Sequence, residues 1–309
     1  MGTTLQVGAE APSRHEAIQA IETAFQAVRA ADSLLSTWRD DSEIARVNHA
    51  TPGVAVPLSA DLSAALAEAK RWCRMTGGAF DPAVGALVDA WQLRGSGRVP
   101  SPAVLARSRA ATGMDHFVFS TAGRSVTRTH ASAWIDTGGF GKGLALRYAG
   151  RALRRAGVSR ARLNFGGQVL VIGPDSVGAD WLIPVAHPLH RERPVTWLRL
   201  QDASVSTSSQ SERFVTAGGR RIGHILDPST GEPIPAWGSV SVIAKDALVA
   251  DVVSTAMLVL GPNKGLEWAQ RHQDIGVLFL VTHKGRLEHR WNDALEKFLV
   301  SDSTNQRRT

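Results

Sequence analysis

The chain has 309 residues, of which 43% are hydrophobic and 20% charged. It can therefore bury a sizeable core as one large or two small domains, and it is neither generally disordered nor a fibrous repeat. The net charge of +7 would suit an anionic partner, but the basic residues form only short pairs and triplets, so we do not expect nucleic-acid binding. Cys73 is the single cysteine, so no intrachain disulfide or multi-cysteine metal site can form.

Hydrophobic spacing predicts helices and strands in mixed order. In the first half we expect a long helix after Ser13 that reaches Leu35, a helix at 62–72, strands at 117–119 and 126–135, a helix at 142–156 and a strand at 163–172. In the second half we expect strands at 181–186, 195–200, 213–216, 220–226 and 240–244, helices at 247–260 and 264–271, and strands at 275–281 and 286–290.

The order of these elements indicates the fold class. Several strands follow one another without a helix between them, which favours an α+β fold with mainly antiparallel sheets over a doubly wound parallel sheet. We interpret residues 1–300 as one domain and residues 301–309, SDSTNQRRT, as a disordered tail.

Asp251 is the most informative single residue, because it interrupts the otherwise apolar helix predicted at 247–260. A buried carboxylate must be paired, protonated or bound to a metal. Thr255 follows four residues later on the same helical face, and two hard oxygen ligands one turn apart suit Mg²⁺. A salt-bridged aspartate beside a threonine that bonds to its own helix backbone fits the same pattern, so this segment alone leaves both interpretations open.

Two glycine-rich turns are candidate phosphate sites. The segment DTGGFGKG at 136–143 ends a strand and begins a helix, and both close-approaching backbone amides and a helix N-terminus favour a phosphate. It matches neither GxxxxGKS nor GxGxxG. The segment NFGGQV at 164–169 is a second such turn and is ambiguous by itself. Taken alone, DTGGFGKG favours an ordinary strand-to-helix turn.

His224 lies in GHILDPSTGEP at 223–233, after the hydroxyl-rich SVSTSSQSERF at 204–214. Imidazole titrates near neutral pH, so a histidine at a strand end is a candidate general base. The DPSTG segment is also an ordinary turn sequence. A structural hydrogen bond therefore explains His224 equally well.

Asp81 stands between an aromatic residue and a proline in TGGAFDPAVGALVDAW at 76–91. Its carboxylate is suited either to bonding the polar edge of a ligand or to capping the helix that follows. Taken alone, the segment favours the cap.

Taken together and in this order, these segments resemble the FAD:protein FMN transferase family, also called the ApbE family. The matching segments are MGT at 1–3, STWRDDSEIARVN at 36–48, GGAFDPAVG at 77–85, DTGGFGKG at 136–143, NFGG at 164–167, STSS at 206–209 with ERF at 212–214, HILDPSTGEPI at 224–234 and SVSVIAKDALVADVVSTAMLVLGP at 239–262. Several motifs in one order are far more specific than any one of them. The resemblance therefore favours the functional interpretation of each, and it implies the T-fold-like α+β architecture of that family.

The resemblance also implies which residues bind ligands. The family's ADxxxT pattern supplies magnesium ligands and corresponds to Asp251 and Thr255 here, with Ser254 as a further candidate and the backbone carbonyl of Gly141 completing the set. His224 corresponds to a histidine implicated in catalysis. The flavin contacts carried over by motif are Met1, Trp38, Ala79, Phe80, Asp81, Gly138, Leu144 and Leu226, with the Trp38 ring placed where it can stack on a flavin or adenine.

A reaction and its partners follow from the same resemblance. FAD would be the substrate and Mg²⁺ the cofactor, and the acceptor would be a flavoprotein such as a redox-complex subunit or a reductase. A threonine hydroxyl of the acceptor would attack the FMN-side phosphorus and release AMP. Two alternatives stay open, namely Mg-dependent hydrolysis of FAD to FMN and AMP, and an FAD-binding protein without turnover.

Two positions depart from the family pattern. Arg147 stands where an acidic residue is usual, and Ser209 stands where the family often has the glycine of a TSG motif. Arg147 lies just after GKGLAL and Ser209 ends the STSS segment, so the departures bear on nucleotide contacts and loop shape.

The cellular compartment is left open by the sequence. No apolar run reaches the roughly 18 residues that a transmembrane helix needs, so we expect no membrane-spanning segment. Family members are commonly exported, often with a leader before MGT, and this sequence begins at MGT. We therefore expect a cytoplasmic protein, or a periplasmic or membrane-anchored one whose leader has been removed.

Overall fold

The structure, a computed structural model, describes residues 2–300. Its helices are α1 (Arg14–Leu35), α2 (Glu43–His49), α3 (Ala60–Met75), α4 (Gly85–Ala90), α5 (Pro102–Ala110), α6 (Gly141–Arg155) and α7 (Ala247–Gln270). Its strands are β1 (Leu5–Glu10), β2 (Ala55–Pro57), β3 (Phe117–Phe119), β4 (Ser125–Arg128), β5 (Arg160–Phe165), β6 (Gln168–Ile172), β7 (Trp181–Ala186), β8 (Pro194–Leu200), β9 (Ser204–Ser209), β10 (Phe214–Ala217), β11 (Arg220–Gly223), β12 (Gly238–Ala244), β13 (Gly276–His283) and β14 (Arg286–Trp291). The predicted tail at 301–309 and the predicted flavin contact Met1 lie outside the described residues.

The described chain divides into two compact units. The first unit comprises residues 30–141 and 210–235, and the second comprises residues 2–29, 142–209 and 236–300. Compactness alone does not decide whether each unit would fold by itself. The interpretation of residues 1–300 as one domain therefore stays a prediction.

The second unit is built on an antiparallel sheet with the strand order β1-β5-β6-β9-β12-β13-β14. The central strands β9 and β12 carry α7 on one face. The other face packs on the hairpin formed by β7 and β8, where Ile183 and Leu198 of the hairpin meet Val205, Ile243 and Leu280 of the sheet. The central strands are therefore covered on both sides, which holds α7 at a fixed place on the sheet.

The first unit contains smaller sheets and most of the short helices. Strands β2, β4 and β3 form one sheet in that order, and β10 pairs with β11. Leu87 and Trp91, at α4 and its end, pack against Ile222 and Leu226 in a buried cluster. This cluster fixes the segment after β11, which contains the predicted base, against α4.

The predicted fold class is confirmed, since the strand pairs of residues 2–300 are antiparallel. The helix expected after Ser13 is α1, and the helices expected at 62–72 and 142–156 are α3 and α6. The two helices expected at 247–260 and 264–271 are the halves of α7, which is kinked where Gly261 has a φ of 73° just before Pro262.

Three strand predictions are wrong in extent. The strand expected at 220–226 is β11, which ends at Gly223. The strand expected at 126–135 ends at Arg128, whose guanidinium donates to the carbonyls of Ala131 and Ala133 and so holds the following segment in a turn. The strand expected at 163–172 is two strands, β5 and β6. Gly166 and Gly167 separate them, because both have a positive φ that an extended strand cannot contain.

Among residues 2–300, no helix is both long enough and apolar enough to cross a bilayer.

Candidate functional site

Asp251 is only 2% exposed, and its carboxylate is surrounded by donors from two elements of the second unit. Oδ2 accepts a hydrogen bond from the backbone amide of Gly143 at 2.8 Å. Oδ1 lies 3.2 Å from Nζ of Lys142 and 3.3 Å from Oγ of Ser206. These donors offset the cost of burying a carboxylate, as the salt-bridge interpretation of Asp251 requires.

The amide of Gly143 reaches Asp251 because this position has no side chain. A Cβ atom at Gly143 would lie 2.5 Å from the carbonyl oxygen of Ala247 and 2.7 Å from both Cβ of Asp251 and Cα of Leu248. Those distances are shorter than van der Waals contact, so only glycine lets α6 approach α7 this closely. The second glycine of GKG is thus explained by helix packing against the carboxylate.

The hydroxyl of Ser254 belongs to a buried hydrogen-bond network. Its Oγ lies 2.9 Å from the backbone carbonyl of Asp251, 2.8 Å from Oγ of Ser208 and 3.2 Å from Oγ of Ser206, and the residue is 0% exposed. A hydroxyl has one proton and two lone pairs. The single proton of Ser254 goes either to the Asp251 carbonyl or to Oγ of Ser206, whose own proton goes to Asp251. Its burial and these contacts favour a role for Ser254 in supporting the Asp251 turn.

Thr255 differs from Ser254 in its exposure and in its partners. It is half-buried, and its Oγ1 donates to the backbone carbonyl of Asp251 at 3.3 Å. This is the bond to the helix backbone that the alternative interpretation describes. Because the proton goes to that carbonyl, Oγ1 keeps its lone pairs as acceptor capacity.

The sequence does not predict strand β9, which supplies hydroxyls to this site. Successive side chains of a strand alternate between its faces. Val205 lies in the hydrophobic cluster against β7 and β8, whereas Ser206 and Ser208 meet residues of α7 on the opposite face. The alternation of serine with other residues in SVSTSS is the signal that indicates such a strand.

A second missed residue is Gln168, at the end of the NFGGQ turn. It is 2% exposed, and its Nε2 donates to the backbone carbonyl of Ala247 at 2.7 Å, which fixes the orientation of the amide. Its Oε1 has no hydrogen-bond partner within the described residues. A buried acceptor is thus left beside the first turn of α7.

Arg147, one of the two departures from the family pattern, has an acidic partner within the second unit. Its Nε donates to Oδ1 of Asp246 at 2.8 Å. Asp246 is the N-cap of α7 and accepts from the amide of Leu248 with the same oxygen. The arginine therefore braces the start of the helix that carries Asp251. At the other departure, Ser209 continues β9 and donates to the carbonyl of Gly238 at 3.1 Å.

His224 follows β11 in the first unit and is half-buried. Its Nδ1 lies 3.1 Å from the backbone carbonyl of Arg213. A carbonyl can only accept, so Nδ1 carries the proton in this bond and the neutral ring has its lone pair on Nε2. The hydrogen bond to Arg213 and the role of general base are thus compatible, because that bond sets the tautomer in which Nε2 can accept a proton.

Gln210 holds the segment around His224, and the sequence did not single it out. Its Nε2 donates to the carbonyls of Ile225 at 2.7 Å and Ile234 at 2.9 Å, and its Oε1 accepts from the amide of Ile225 at 3.0 Å. The side chain is 5% exposed. A buried glutamine between two strands of irregular sequence gives no periodic signal, which explains why it was missed.

Asp81 accepts from the backbone amides of Ala83 at 2.8 Å and Met114 at 3.3 Å, and the thiol of Cys73 lies 3.4 Å from its Oδ2. The prediction that Asp81 caps the following helix is wrong, because that helix, α4, begins at Gly85 and has Val84 as its N-cap. Burial raises the pKa of the Asp81 carboxyl, although these donors oppose the rise. Burial and the neighbouring Asp81 raise the pKa of Cys73 to about 12, so the thiol stays protonated.

The turn that contains Asp81 is joined to the DTGG turn that contains Gly138. The backbone amide of Asp136 donates to the carbonyl of Pro82 at 2.7 Å. The rings of Phe80 and Phe140 pack edge to face with centroids 6.4 Å apart. Two motifs far apart in sequence thereby become one surface of the first unit.

The predicted flavin contacts differ in what they expose. Trp38 is 66% exposed and Gly138 is exposed, whereas Asp81 is half-buried. The side chains of four others are buried, namely Ala79, Phe80 and Leu226 in the first unit and Leu144 in α6. These four residues therefore expose little surface to a ligand.

Trp38 lines a cavity of about 820 Å³ in the first unit. The cavity is also lined by Arg94, Trp134 and Asn48, and by further basic side chains that include Arg39 and Arg98. Planar rings and fixed cations are the groups that bind a nucleotide through stacking and charge. Of the predicted flavin contacts, Trp38 lines this cavity and the six other described ones do not.

The oxygen atoms near Asp251 have the chemistry of a magnesium site. One carboxylate with capacity for about four hydrogen bonds and the hydroxyl of Thr255 are hard ligands. Mg²⁺ uses few protein carboxylates and keeps waters and substrate phosphates as its other ligands. Among residues 2–300, no three side chains of His, Cys, Asp and Glu gather in one place. The residues present at Asp251 therefore fit magnesium bound with a phosphate substrate.

Comparison with known proteins gives the same family that the motifs indicate. Residues 1–279 match the ApbE family. A protein of Salmonella typhimurium named FAD:protein FMN transferase is 31% identical over 313 residues, covering 98% of this chain and 88% of its own length. The flavin transferase ApbE from Vibrio cholerae has a similar structure, with a TM-score of 0.86, 27% identity and coverage of 97% of this chain and 96% of that one.

The ApbE protein from Thermotoga maritima is similar as well, with a TM-score of 0.88, 26% identity and coverage of 97% of both chains. These comparisons confirm the resemblance that the ordered motifs predict, the ApbE-like architecture and the class of transferase enzyme. The individual ligand-binding residues stay predictions.

Proposed function

The chain belongs to the ApbE family, and from that premise we propose that it is a magnesium-dependent enzyme that moves FMN from FAD to a threonine hydroxyl of an acceptor flavoprotein and releases AMP. The observation that carries the proposal is the buried carboxylate of Asp251, held at 2.8 Å by the amide of Gly143 and followed one turn later by the half-buried Thr255. This arrangement stands at the motif where the family resemblance places the metal.

The magnesium ligands that the geometry favours are the carboxylate of Asp251 and the hydroxyl of Thr255. Bound Mg²⁺ would supply charge neutralisation on the pyrophosphate. The carbonyl of Gly141, the first residue of α6, is the further ligand that the resemblance suggests. Ser254 holds the turn through its buried hydrogen bonds, and we therefore assign it a supporting role.

Lys142 has a second task in this proposal. Its ammonium group lies 3.2 Å from Asp251, and its side chain is 31% exposed. A flexible ammonium can exchange a carboxylate for a phosphate as its partner. We therefore expect Lys142 to contact the pyrophosphate when Asp251 engages the cation.

His224 is the proposed general base. Its Nδ1 is held by the carbonyl of Arg213, so Nε2 is the nitrogen that can take a proton from the threonine hydroxyl. The hydroxyl oxygen then forms a bond to the FMN-side phosphorus, the bond between that phosphorus and the bridging oxygen breaks, and AMP leaves with the electron pair. Phosphoryl transfer needs mainly positioning and charge neutralisation, which fits a site with one base.

The test is to incubate the purified protein with FAD and Mg²⁺, with and without a threonine-containing acceptor domain of a flavinylated redox protein. The readouts are AMP release and the mass of the acceptor. A mass gain equal to FMN that requires both Mg²⁺ and the acceptor supports the proposal. An acceptor domain with the target threonine replaced by alanine is the matched control and should gain no mass.

The remaining outcomes separate the alternatives. Release of AMP and free FMN at the same rate without acceptor would make the protein an FAD pyrophosphatase. Tight FAD binding with no AMP in any mixture would make it a binding protein and contradict the proposed turnover.

A further inference from the structure

Arg94 joins two tryptophans in the first unit. Its guanidinium carbon lies over both indole rings, 4.7 Å from the ring centre of Trp38 and 4.5 Å from that of Trp134. A guanidinium is planar and weakly hydrated, and tryptophan is the aromatic residue that attracts cations most strongly. One side chain thus couples two rings that are distant in sequence.

Trp134 is the fixed member of this pair. Its Nε1 donates to Oδ2 of Asp89 at 2.7 Å. The ring also lies directly against Gly85, where an added Cβ would come within 2.1 Å of Cδ2 of Trp134. The ring is therefore held along its edge by a carboxylate and across its face by α4, so it serves as an anchor for Arg94.

Trp38 is the exposed member, and the backbone before it is tied to the same guanidinium. Nη1 of Arg94 donates to the carbonyl of Thr37 at 3.1 Å, and Nη2 donates to Oγ1 of Thr37 at 2.6 Å and to Oδ2 of Asp136 at 2.8 Å. Asp136 begins the DTGG turn. Arg94 consequently fixes the segment that presents Trp38 relative to that turn.

We propose that Arg94 is a positioning residue for the dinucleotide, because it holds the exposed Trp38 ring in place as a platform on which a planar ring of FAD stacks. The inference rests on the proposed function. A ring that is already held loses little conformational freedom when a ligand stacks on it, so presetting Trp38 strengthens binding. Arg94 does not need to touch the ligand to have this effect.

The first experiment measures the Kd for FAD without Mg²⁺, and then KM and kcat with Mg²⁺ and acceptor, for Arg94→Ala and Arg94→Lys. We expect Arg94→Ala to raise Kd and KM by about three- to tenfold, because Trp38 loses its cation–π contact and Thr37 loses the hydrogen bonds that hold the backbone before the ring. We expect kcat to stay within about twofold, because binding and not the chemical step is affected. Arg94→Lys keeps the charge but loses the planar guanidinium, so its Kd for FAD should lie between that of the wild type and that of Arg94→Ala.

Arg46→Ala is the matched control. Arg46 is an exposed arginine of the first unit whose nearest acidic partner, Glu43, is 3.9 Å away. The Arg46→Ala variant should have the same Kd and KM for FAD as the wild type. An unchanged Kd in Arg94→Ala, or a fall in kcat with unchanged KM, would overturn the proposal.

A double-mutant cycle tests whether Arg94 acts through Trp38. If it does, Arg94→Ala combined with Trp38→Ala should raise the Kd for FAD no further than Trp38→Ala alone. Independent, multiplicative effects of the two substitutions would show that Arg94 acts in another way and would overturn the positioning role.

A ligand-free measurement separates this inference from the proposed function. Hydrogen–deuterium exchange of the peptide that covers residues 36–42 should be faster in Arg94→Ala than in the wild type and in Arg46→Ala. If the wild type bound no FAD, the proposed function would fail, and the exchange result would still decide whether Arg94 holds this segment. Unchanged exchange in Arg94→Ala would overturn the inference.

Discussion

The surroundings of Asp251 and those of Trp38 represent two ways of preparing a ligand site. Around Asp251 the polar groups are buried and bonded to one another, with donors from α6 and hydroxyls from β9. Trp38 is 66% exposed and is held from behind by the single guanidinium of Arg94. The surroundings of Asp251 fix a charged carboxylate inside the protein, whereas Arg94 fixes the exposed ring of Trp38.

This difference predicts how each region responds to substitution. A buried polar network contributes much less stabilisation when one member is removed, because the remaining groups are left without hydrogen-bond partners. An exposed ring held by one cation loses only the contribution of that contact. Substitutions near Asp251 should therefore have large effects, and those around Trp38 should be graded.

The largest expected effect is that of Asp251→Asn. The amide keeps the shape of the side chain and an acceptor for Gly143, but it removes the charge that binds a cation. Magnesium-dependent turnover should fall by more than about 100-fold, since even indirect partners of a metal ligand contribute 10- to 100-fold. Magnesium binding measured by calorimetry should weaken in parallel.

Asp202→Asn is its control, because Asp202 forms an exposed pair with Arg154 in the same unit. It should behave as the wild type. Wild-type turnover in Asp251→Asn would remove the basis for the metal assignment.

His224→Gln should have the next largest effect. Glutamine can keep a hydrogen bond to the carbonyl of Arg213 but cannot accept a proton near neutral pH. We expect kcat to fall by about 100-fold, the lower range for loss of a general base, while the Kd for FAD changes little. Single-turnover AMP release separates the two quantities.

His283→Gln, an exposed position at the end of β13, is the matched control. A large rise in the Kd for FAD in His224→Gln with unchanged release of AMP from bound FAD would show that His224 binds the substrate and is not the base.

Gly143→Ala tests the close approach of α6 and α7. The new methyl group would collide with the backbone and side chain around Asp251, and overpacking of this kind costs about 1–3 kcal/mol in the free energy of unfolding. Urea denaturation measures the loss. Gly8→Ala is the control, because the nearest atom to an added Cβ there is 4.0 Å away, and equal stabilities of the two variants would contradict the packing argument.

The smallest expected effect is a pH dependence at Asp81. Its folded pKa is raised above the ordinary value of 3.8 by burial. Between 3.8 and the raised value the folded state binds the proton more tightly than the unfolded state, so the contribution of Asp81 to stability falls as pH rises through this window. Asp81→Asn removes this dependence.

The measurement is the free energy of unfolding of the wild type and of Asp81→Asn in urea at several pH values from 4 to 7. The difference between them should move in favour of the variant as the pH rises. A trend of opposite sign in Asp81→Asn would mean that the hydrogen bonds from Ala83 and Met114 outweigh burial.

The fold was predictable where the sequence has a regular period. Long helices such as α1 and α3, with apolar residues at helical spacing, and the consecutive strands of the second half of the chain follow from the sequence alone. The short helices α2 and α5 and the strands β1, β2 and β9 were missed. The helices and β2 are too short to carry a clear period, whereas β1 and β9 do alternate but contain few large apolar residues.

Parts of the candidate site were predictable for the same reason. Asp251 stands out because a charge within an apolar helix is costly, and Thr255 follows at helical spacing. Ser206, Gln168, Gln210 and Arg94 were not predicted. Each acts through a partner that is far away in sequence, and no local pattern marks such a pairing.

The sequence by itself determined the α+β class, the family and the positions at which a carboxylate, a histidine and glycine-rich turns had to occur, because these depend on local composition, spacing and the order of motifs. Only the tertiary structure decided which donors surround Asp251, which nitrogen of His224 is held and which side chain supports Trp38. Those answers depend on contacts between residues separated by many positions in the chain, and only folding brings such residues within hydrogen-bonding or stacking distance.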